Sequence, residues 1–462
     1  MGTEWTTLHE LLLPAAAGVG GRRGKAVESA LREAVRSGVL AAGTRLPSSR
    51  DLAGQLSLSR GTVTALYEQL AAEGYLIAKH GSGTTVARLD QPEPSGTPAA
   101  EPAATWAFDL RPGLPALAAF PRAEWLRHER EVLTTAPDTM LGYPDPAGHP
   151  ELRAELAGYL GRVRAVPAGP GDIVVTNGAA EALSLLATVL HARGHRRIAV
   201  EDPSHRGQAE LLAAQGLRPI GIPVDDAGIQ PSHLSTSDCG TVMVTAAHQF
   251  PLGVPLDPER RRALLKWARD TDGLVIEDDY DAEHRYDRPA LSAIKALDPE
   301  RVVYLGSVSK VLAPALRIGW LVLPPSIRAE IVAAKYTHDL GCAPLPQATL
   351  ARMLRSGGYD RHLRRTRRLY RRRRDALLDA LATTFPDWRP IGIAAGLHVV
   401  VRLPDGADDN ALSRELAGHG INAPSLASYA TGSLFPGLVL GYAALTPDRL
   451  VAAVLAMRAA LA

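Results

Sequence analysis

VVYLGSVSKVLAPALRIGW, residues 302–320, is the stretch whose reading decides the fold. Its apolar run Val302, Val303, Tyr304 and Leu305 reads as a buried strand, and Gly306, Ser307 and Ser309 as a small-residue turn that ends at Lys310. A lysine in that setting projects from a rigid sheet edge. The other five lysines, Lys25, Lys79, Lys266, Lys295 and Lys335, fall in polar helical or loop settings where solvation is the ordinary explanation. Lys310 is the one placed for a covalent cofactor.

Upstream, GLVIEDDYDAEHRY (residues 273–286) repeats the pattern of an apolar strand with polar residues at its carboxyl end. Such strand ends are where open α/β sheets bind ligands. A lysine imine to pyridoxal phosphate needs an acid at the ring nitrogen, a donor to the ring phenolate and a cradle for the phosphate. Asp278 would serve the first need and Tyr280 the second. For the phosphate, Ser307 and Ser309 offer hydroxyls and Arg317 a fork of donors. IVVTNGAAEALSLLATVL (residues 173–190) adds a strand turning through Gly178 into a helix, so that the amides of Gly178, Ala179 and Ala180 would sit at a helix N-terminus, a natural anion site. Taken singly, an acidic cluster after a strand reads as a solvated loop, and one strand-glycine-helix junction is a weak signal.

Their order changes that reading. Asp278, Tyr280, Lys310 and Arg317 follow one another as in the fold-type I pyridoxal phosphate enzymes of the aspartate aminotransferase family, which residues 107–462 resemble. The resemblance implies a large domain with a mixed, mainly parallel sheet and a small α/β lobe. It further implies that Tyr143, in LGYPDPAGHPELRAELAGYL, reaches the phosphate of a partner subunit, making a homodimer part of the site. His205, in VEDPSHRG, holds the place where the family stacks an aromatic ring on the pyridine; otherwise it is a surface-loop histidine. AHQFPLG resembles the family's Asn-Pro-Thr-Gly loop but has Phe250 for the asparagine, so His248 or Gln249 is expected to contact the cofactor oxygen.

Residues 21–88 differ in composition, with ten Lys and Arg against five Asp and Glu in a chain whose net charge is +2. Val27, Leu31 and Val35 are spaced for a first helix. Ser48 or Ser49 caps a second over Leu52, Ala53 and Leu56, and Ser59 caps a third through Val63, Leu66, Tyr67 and Leu70. Tyr75–Ala78 and Thr84–Ala87 read as a hairpin whose turn contains Lys79, His80, Gly81, Ser82 and Gly83. This is the pattern of a winged helix-turn-helix, with Arg60 and Thr62 at the end of the third helix that enters the major groove. LPSSRDLA and SRGTVTALYEQLAAEGYL closely resemble the GntR superfamily of bacterial regulators. That resemblance implies double-stranded operator DNA as partner, with Arg50 and Arg60 on phosphate or base edges, Thr62 on either, and Lys79 and Gly81 on the backbone or minor groove. Residues 89–106, rich in proline and alanine, read as a semi-extended linker.

Two cysteines, Cys239 and Cys342, form no disulfide framework and suit a reducing cytosol. LLLPAAAGVG near the N-terminus is too short to span a membrane and lacks the basic flank of a signal peptide. The chain is therefore expected to be cytoplasmic and nucleoid-associated, with no membrane partner. No zinc-ligand spacing or P-loop occurs. RHLRRTRRLYRRRRDAL (residues 361–377) invites a nucleic-acid reading, but Leu363, Tyr370 and Leu377 recur at heptad spacing and favour a solvated helix with one buried edge.

A GntR-like head joined to an aminotransferase-like body resembles the MocR subfamily of bacterial regulators. The resemblance implies that the body senses a ligand and controls DNA binding through a dimer, in which head-to-tail exchange of domains is a further option. Where aminotransferases and amino-acid-sensing relatives carry an arginine two residues before a glycine, GLVLGYAAL has Val439 before Gly441. A bidentate arginine–carboxylate pair is strong and specific. Its loss favours a non-catalytic sensor of pyridoxal phosphate itself, as in members controlling vitamin B6 synthesis. A sensor of an amino compound and an aminotransferase with a DNA-binding head are the alternatives, and Arg402 could supply a clamp from another strand.

Overall fold

Two serine hydroxyls set the frame of the N-terminal unit. Ser48 accepts the amide of Asp51 at 3.2 Å and starts α2 (Ser49–Leu56), following α1 (Arg23–Arg36); Ser59 accepts the amide of Thr62 at 3.1 Å and starts α3 (Arg60–Ala72). Each cap satisfies a backbone donor that the first turn leaves open and is worth about 1 kcal/mol. Between them Ser57 takes the left-handed conformation (φ 50°), which turns the chain sharply from α2 into α3. Val27, Leu31, Leu52, Val63 and Leu70 are fully buried in one core, which Leu12 joins. A hairpin follows, β1 (Leu76–Lys79) against β2 (Gly83–Val86), with Leu76 opposite Val86. The computed structural model describes Leu12 and residues 23–79, 83–88, 105–286, 292–432 and 434–462. The tip residues His80, Gly81 and Ser82, and all but the last residues of the proline-rich segment 89–106, lie outside them. The chain divides into two units, Met1–Ala103 and Ala104–Ala462.

The second unit is built on an eight-stranded sheet. In chain order it contains β3 (Phe108–Asp109), α4 (Arg122–Thr135), α5 (Pro150–Arg164), β4 (Ile173–Thr176), α6 (Ala179–Ala192), β5 (Arg197–Asp202), α7 (Arg206–Ala214), β6 (Arg218–Asp225), β7 (Gly228–Ile229), β8 (Thr241–Val244), α8 (Pro258–Asp270), β9 (Leu274–Asp278), β10 (Val302–Ser307) and β11 (Gly319–Val322). The sheet order is β4-β11-β10-β9-β8-β5-β6-β7. The central run β10-β9-β8-β5-β6 is parallel, while β11 pairs antiparallel with both β10 and β4, and β7 closes the far edge antiparallel to β6. Alternation explains why these strands read as unbroken apolar runs: Val174, Val303 and Leu321 meet Leu183, Leu186 and Leu190 of α6 on one face. Val175, Tyr304 and Trp320 meet Leu152 and Leu156 of α5 on the other. A sheet covered on both faces has no solvent side to mark with polar residues.

The polypeptide then runs through α9 (Pro325–Asp339), α10 (Pro344–Arg355) and α11 (Gly358–Thr384) into a smaller lobe. That lobe holds β12 (Arg389–Ile391), β13 (His398–Arg402), α12 (Asp409–Gly418), β14 (Ile421–Asn422), β15 (Gly437–Gly441) and α13 (Pro447–Ala460). β12, β13 and β15 form an antiparallel sheet, and β14 pairs with β3. α11 buries Leu363, Tyr370 and Leu377, the heptad edge read from the sequence, so its arginines are indeed carried by a half-buried helix. No described helix is long and apolar enough to cross a membrane.

Candidate functional site

The carboxyl ends of β9 and β10, the turn after β4 and the loops after β5 and β8 converge on a cavity of about 630 Å³. Lys310 stands in its wall. Its Nζ donates to the carbonyl of Gly113 at 2.7 Å, and burial lowers its ammonium below the usual lysine value although Asp281 and Asp278 pull the other way. Gly113 adopts φ +83°, and a Cβ there would come within 3.0 Å of that nitrogen. The glycine therefore leaves the space the amine uses.

The acidic cluster after β9 is not a solvated loop. Glu277 turns inward and accepts the amides of Ile294 and Lys295 at 2.9 and 3.0 Å. Asp279 accepts from the buried Arg164 and from Tyr304, each at 2.6 Å. Asp281 meets His248 Nδ1 at 2.9 Å. Asp278 alone faces the cavity: Gln208 Nε2 donates to its Oδ2 at 2.7 Å, while its buried Oδ1 has no partner. Burial pushes this carboxyl up to about 6, with the Gln208 bond opposing. A buried carboxylate oxygen left open is costly by itself and invites a cationic N–H.

Tyr280 also lines the cavity, and its hydroxyl lies 3.0 Å from His248 Nδ1. On the opposite wall Ala179 and Ala180 open α6, whose start has no side-chain cap, beside Ser307, Ser309 and Arg317. Gly178 holds φ +81°, and a Cβ there would meet the Arg317 guanidinium at 2.9 Å. Arg317 reaches over it to the carbonyl of Asn177 at 2.6 Å. Open helix amides, two hydroxyls and a guanidinium form a cradle for a dianion. The open Oδ1 of Asp278, the tyrosine and the buried lysine complete a donor set that fits pyridoxal phosphate.

Other expected residues fall differently. His205 lines the cavity, its ring 5.6 Å from that of Phe250; burial, and then Lys310, lowers its imidazolium. His248 does not line the cavity, contrary to the sequence expectation. It is held behind Tyr280 by Asp281, and Phe250 itself faces inward. Gln249 is likewise turned away, its amide donating to the carbonyls of Pro203 and Phe250. Arg402 does not line the cavity; it pairs with Asp405 at 3.0 Å and stacks on Phe435. Val439 is fully buried in the strand opposite Val400. Tyr143 is 90% exposed and touches nothing in the cavity of its own subunit.

Sequence reading missed several residues. Gln208 lies one turn along α7 from His205, and nothing in its neighbourhood marks it as the partner of Asp278. Arg111, Thr245, Asn422 and Tyr429 also line the cavity; Arg111 is tied to Asp109 by bonds of 2.6 to 3.0 Å. Lys295 and Lys335, read as solvated, are both buried. Lys295 donates to the carbonyls of Pro299 and Val302, and Lys335 to Glu181 and Asp339. Lys335 thereby neutralises the one set of closely spaced metal-type ligands among the described residues, Glu181, Asp339 and Cys342.

In the N-terminal unit Arg50 and Arg60 are exposed, and the Thr62 hydroxyl lies 2.8 Å from that of Ser59. Lys79 ends β1, and Gly81 is outside the described residues.

The profile of bacterial regulatory proteins of the gntR family matches residues 23–86, and that of aminotransferase class I and II matches residues 116–455. Among similar proteins, the HTH-type pyridoxine biosynthesis transcriptional regulator PdxR of Corynebacterium glutamicum is 35% identical over 91% of this chain and 92% of its own. The probable rhizopine catabolism regulatory protein MocR of Rhizobium meliloti is 32% identical over 93% of this chain and 92% of its own. Among solved structures, kynurenine aminotransferase of Pyrococcus horikoshii superposes with a TM-score of 0.71 at 27% identity, covering 78% of this chain and 91% of that one. With a GntR helix-turn-helix at one end and an aminotransferase fold at the other, the chain belongs to the MocR subfamily of transcription regulators.

Proposed function

We propose that this regulator senses pyridoxal 5'-phosphate through its aminotransferase-like body and thereby controls operator binding by its winged helix, acting on genes of vitamin B6 synthesis. The observation that carries the reading is the pairing of a complete cofactor donor set with a missing carboxylate clamp: Val439 is buried aliphatic core, and Arg402 lies outside the cavity lining. When bound, the cofactor supplies an electrophilic carbonyl and a protonated ring that withdraws electrons. Lys310 is the covalent anchor, made more nucleophilic by burial. Asp278 holds the ring-nitrogen proton, Tyr280 is positioned by His248 and Asp281 to donate to the phenolate, and His205 stacks on the ring. Ser307, Ser309, Arg317 and the amides at Gly178, Ala179 and Ala180 take the phosphate, joined by Tyr143 from the partner of a homodimer.

In the head, Arg50, Arg60 and Thr62 contact operator DNA, with Lys79 and Gly81 of the wing on backbone or minor groove. The name of the PdxR relative, a regulator of pyridoxine biosynthesis, supports the choice of target genes. Deleting the gene and measuring B6-synthesis transcripts with and without added pyridoxal tests this: the response to pyridoxal should disappear. Transcripts that respond identically in parent and deletion strain would refute it.

One observation favours a second reading. Arg111 lines the cavity, so an amino compound whose acidic group displaces Asp109 from it could pair there in place of the missing clamp, and the regulator would then sense that compound.

A further inference from the structure

We propose that the outer face of α11 is a second, sequence-independent docking surface for duplex DNA, separate from the winged helix. Nine arginines fall between Arg361 and Arg374. The structure sorts them by face. Arg367, Arg371 and Arg373 are consumed by the carbonyls of Glu283, Tyr286 and Ala443. Arg361, Arg364, Arg365, Arg368 and Arg372 line one open groove on the opposite side from Leu363, Tyr370 and Leu377. Within that groove Arg361 is bonded to Glu124 and Arg365 to the carbonyl of Ala119. Arg364, Arg368 and Arg372 are exposed and have no hydrogen bond or ion pair among the described residues.

Residues four apart on a helix rise about 6 Å per step, so the three free guanidiniums form a ridge about 12 Å long. Like charges at that spacing repel, and a helix does not gain stability from them. The arrangement is therefore explained by a polyanion and not by the fold. It is also local, because the chain outside residues 21–88 has more acidic than basic residues. On the same face the stripe ends in the acidic Asp375 and Asp379, which limits the anion to the N-terminal half of the helix. Duplex DNA fits a ridge of guanidiniums that bind phosphate bidentately, and this chain already carries a DNA-binding head. The ridge arginines themselves bring no large exposed apolar residue that would insert into a membrane.

The test uses the full chain and a mixed-sequence duplex of about 60 base pairs, followed by fluorescence anisotropy between about 50 and 200 mM salt. Changing Arg364, Arg368 and Arg372 together to Gln should make the plot of log affinity against log salt shallower by about 2 to 3, since each phosphate contact contributes about 0.9. Changing the same three to Lys should retain most of the slope. Cofactor absorbance and oligomeric mass should be unchanged in both. An unchanged slope in the Gln variant would overturn the proposal. So would a Gln variant that keeps its DNA slope but loses binding to phosphatidylserine vesicles, which would make the ridge a membrane contact, or one whose subunits dissociate, which would make it an interface between copies. Failure of the native chain to bind this duplex while it still binds its own promoter would overturn the ridge and leave the head's operator reading standing, whereas failure on both duplexes would overturn the two together.

Discussion

The head and the body place their working groups in opposite environments. In the head, Arg50 and Arg60 stand in solvent on helices held by a small core and two serine caps. In the body, Lys310 and Asp278 are buried in a cavity wall, one with a lowered and one with a raised protonation midpoint, because burial penalises both charges. Exposed charge costs the fold little and can be spent on a partner as large as DNA. Buried, uncompensated charge destabilises the empty body and is relieved when a ligand of matching charge arrives. That asymmetry is what a sensor needs: a ligand shifts a conformational equilibrium only through differential affinity for the two states, and the body is where such a difference is large.

The sharpest break of this contrast is Lys310→Ala. The parent should hold cofactor with a visible absorbance and a borohydride-fixed link to Lys310. The variant should lose the link entirely while retaining some cofactor through Arg317 and the α6 amides, as judged by peptide mass after reduction. A reduced link on another lysine would show that the wrong amine had been assigned.

Asp278→Asn probes the buried charge. A folded value of about 6 lies above the usual aspartate value near 4. The carboxyl's stabilising contribution to the cofactor-free body is thus full below about pH 4 and is lost as pH rises through 6. The cofactor-free variant should therefore be more stable than the parent above pH 6, by roughly 3 kcal/mol at most, with the gap closing towards pH 4. Chemical denaturation at both ends of that window measures it. The same variant should bind pyridoxal phosphate far more weakly. A gap independent of pH would mean that Asp278 is not desolvated.

In the head, Arg60→Ala should weaken binding to the native promoter by roughly 1 to 3 kcal/mol without altering cofactor absorbance. If its loss relaxes preference at one base pair the residue reads sequence; if it weakens all sequences alike and flattens the salt slope, it holds phosphate. Ser59→Ala has the smallest predicted effect. Loss of the cap on α3 should cost the head about 1 kcal/mol of stability, visible in its melting and absent from that of the body. A drop in the body's transition would show that the two units do not melt independently.

Legibility in the sequence follows the same division. The head was readable almost to the residue because capping and helical spacing are local, and Ser48 and Ser59 carry their meaning within three positions. The body's strand ends were readable because Lys310 and Asp278 follow apolar runs. What escaped was set by contacts distant in the chain. Gln208 is bonded to Asp278 seventy positions away. Lys335 is buried because Glu181 faces it from another helix 154 positions away. His248 was expected at the cofactor because its loop was placed correctly, but a loop's place does not say which of three neighbouring side chains faces inward, and Phe250 took that position.

The central claim is tested most directly by adding pyridoxal phosphate, and separately a panel of amino acids, to the purified chain while following both its visible spectrum and its binding to DNA upstream of its own gene. The cofactor should change DNA affinity, and no amino acid should convert the bound cofactor's spectrum or add to that change. Rapid conversion to pyridoxamine phosphate by any one amino acid, with DNA affinity indifferent to the cofactor, would contradict the sensor and make the body an aminotransferase.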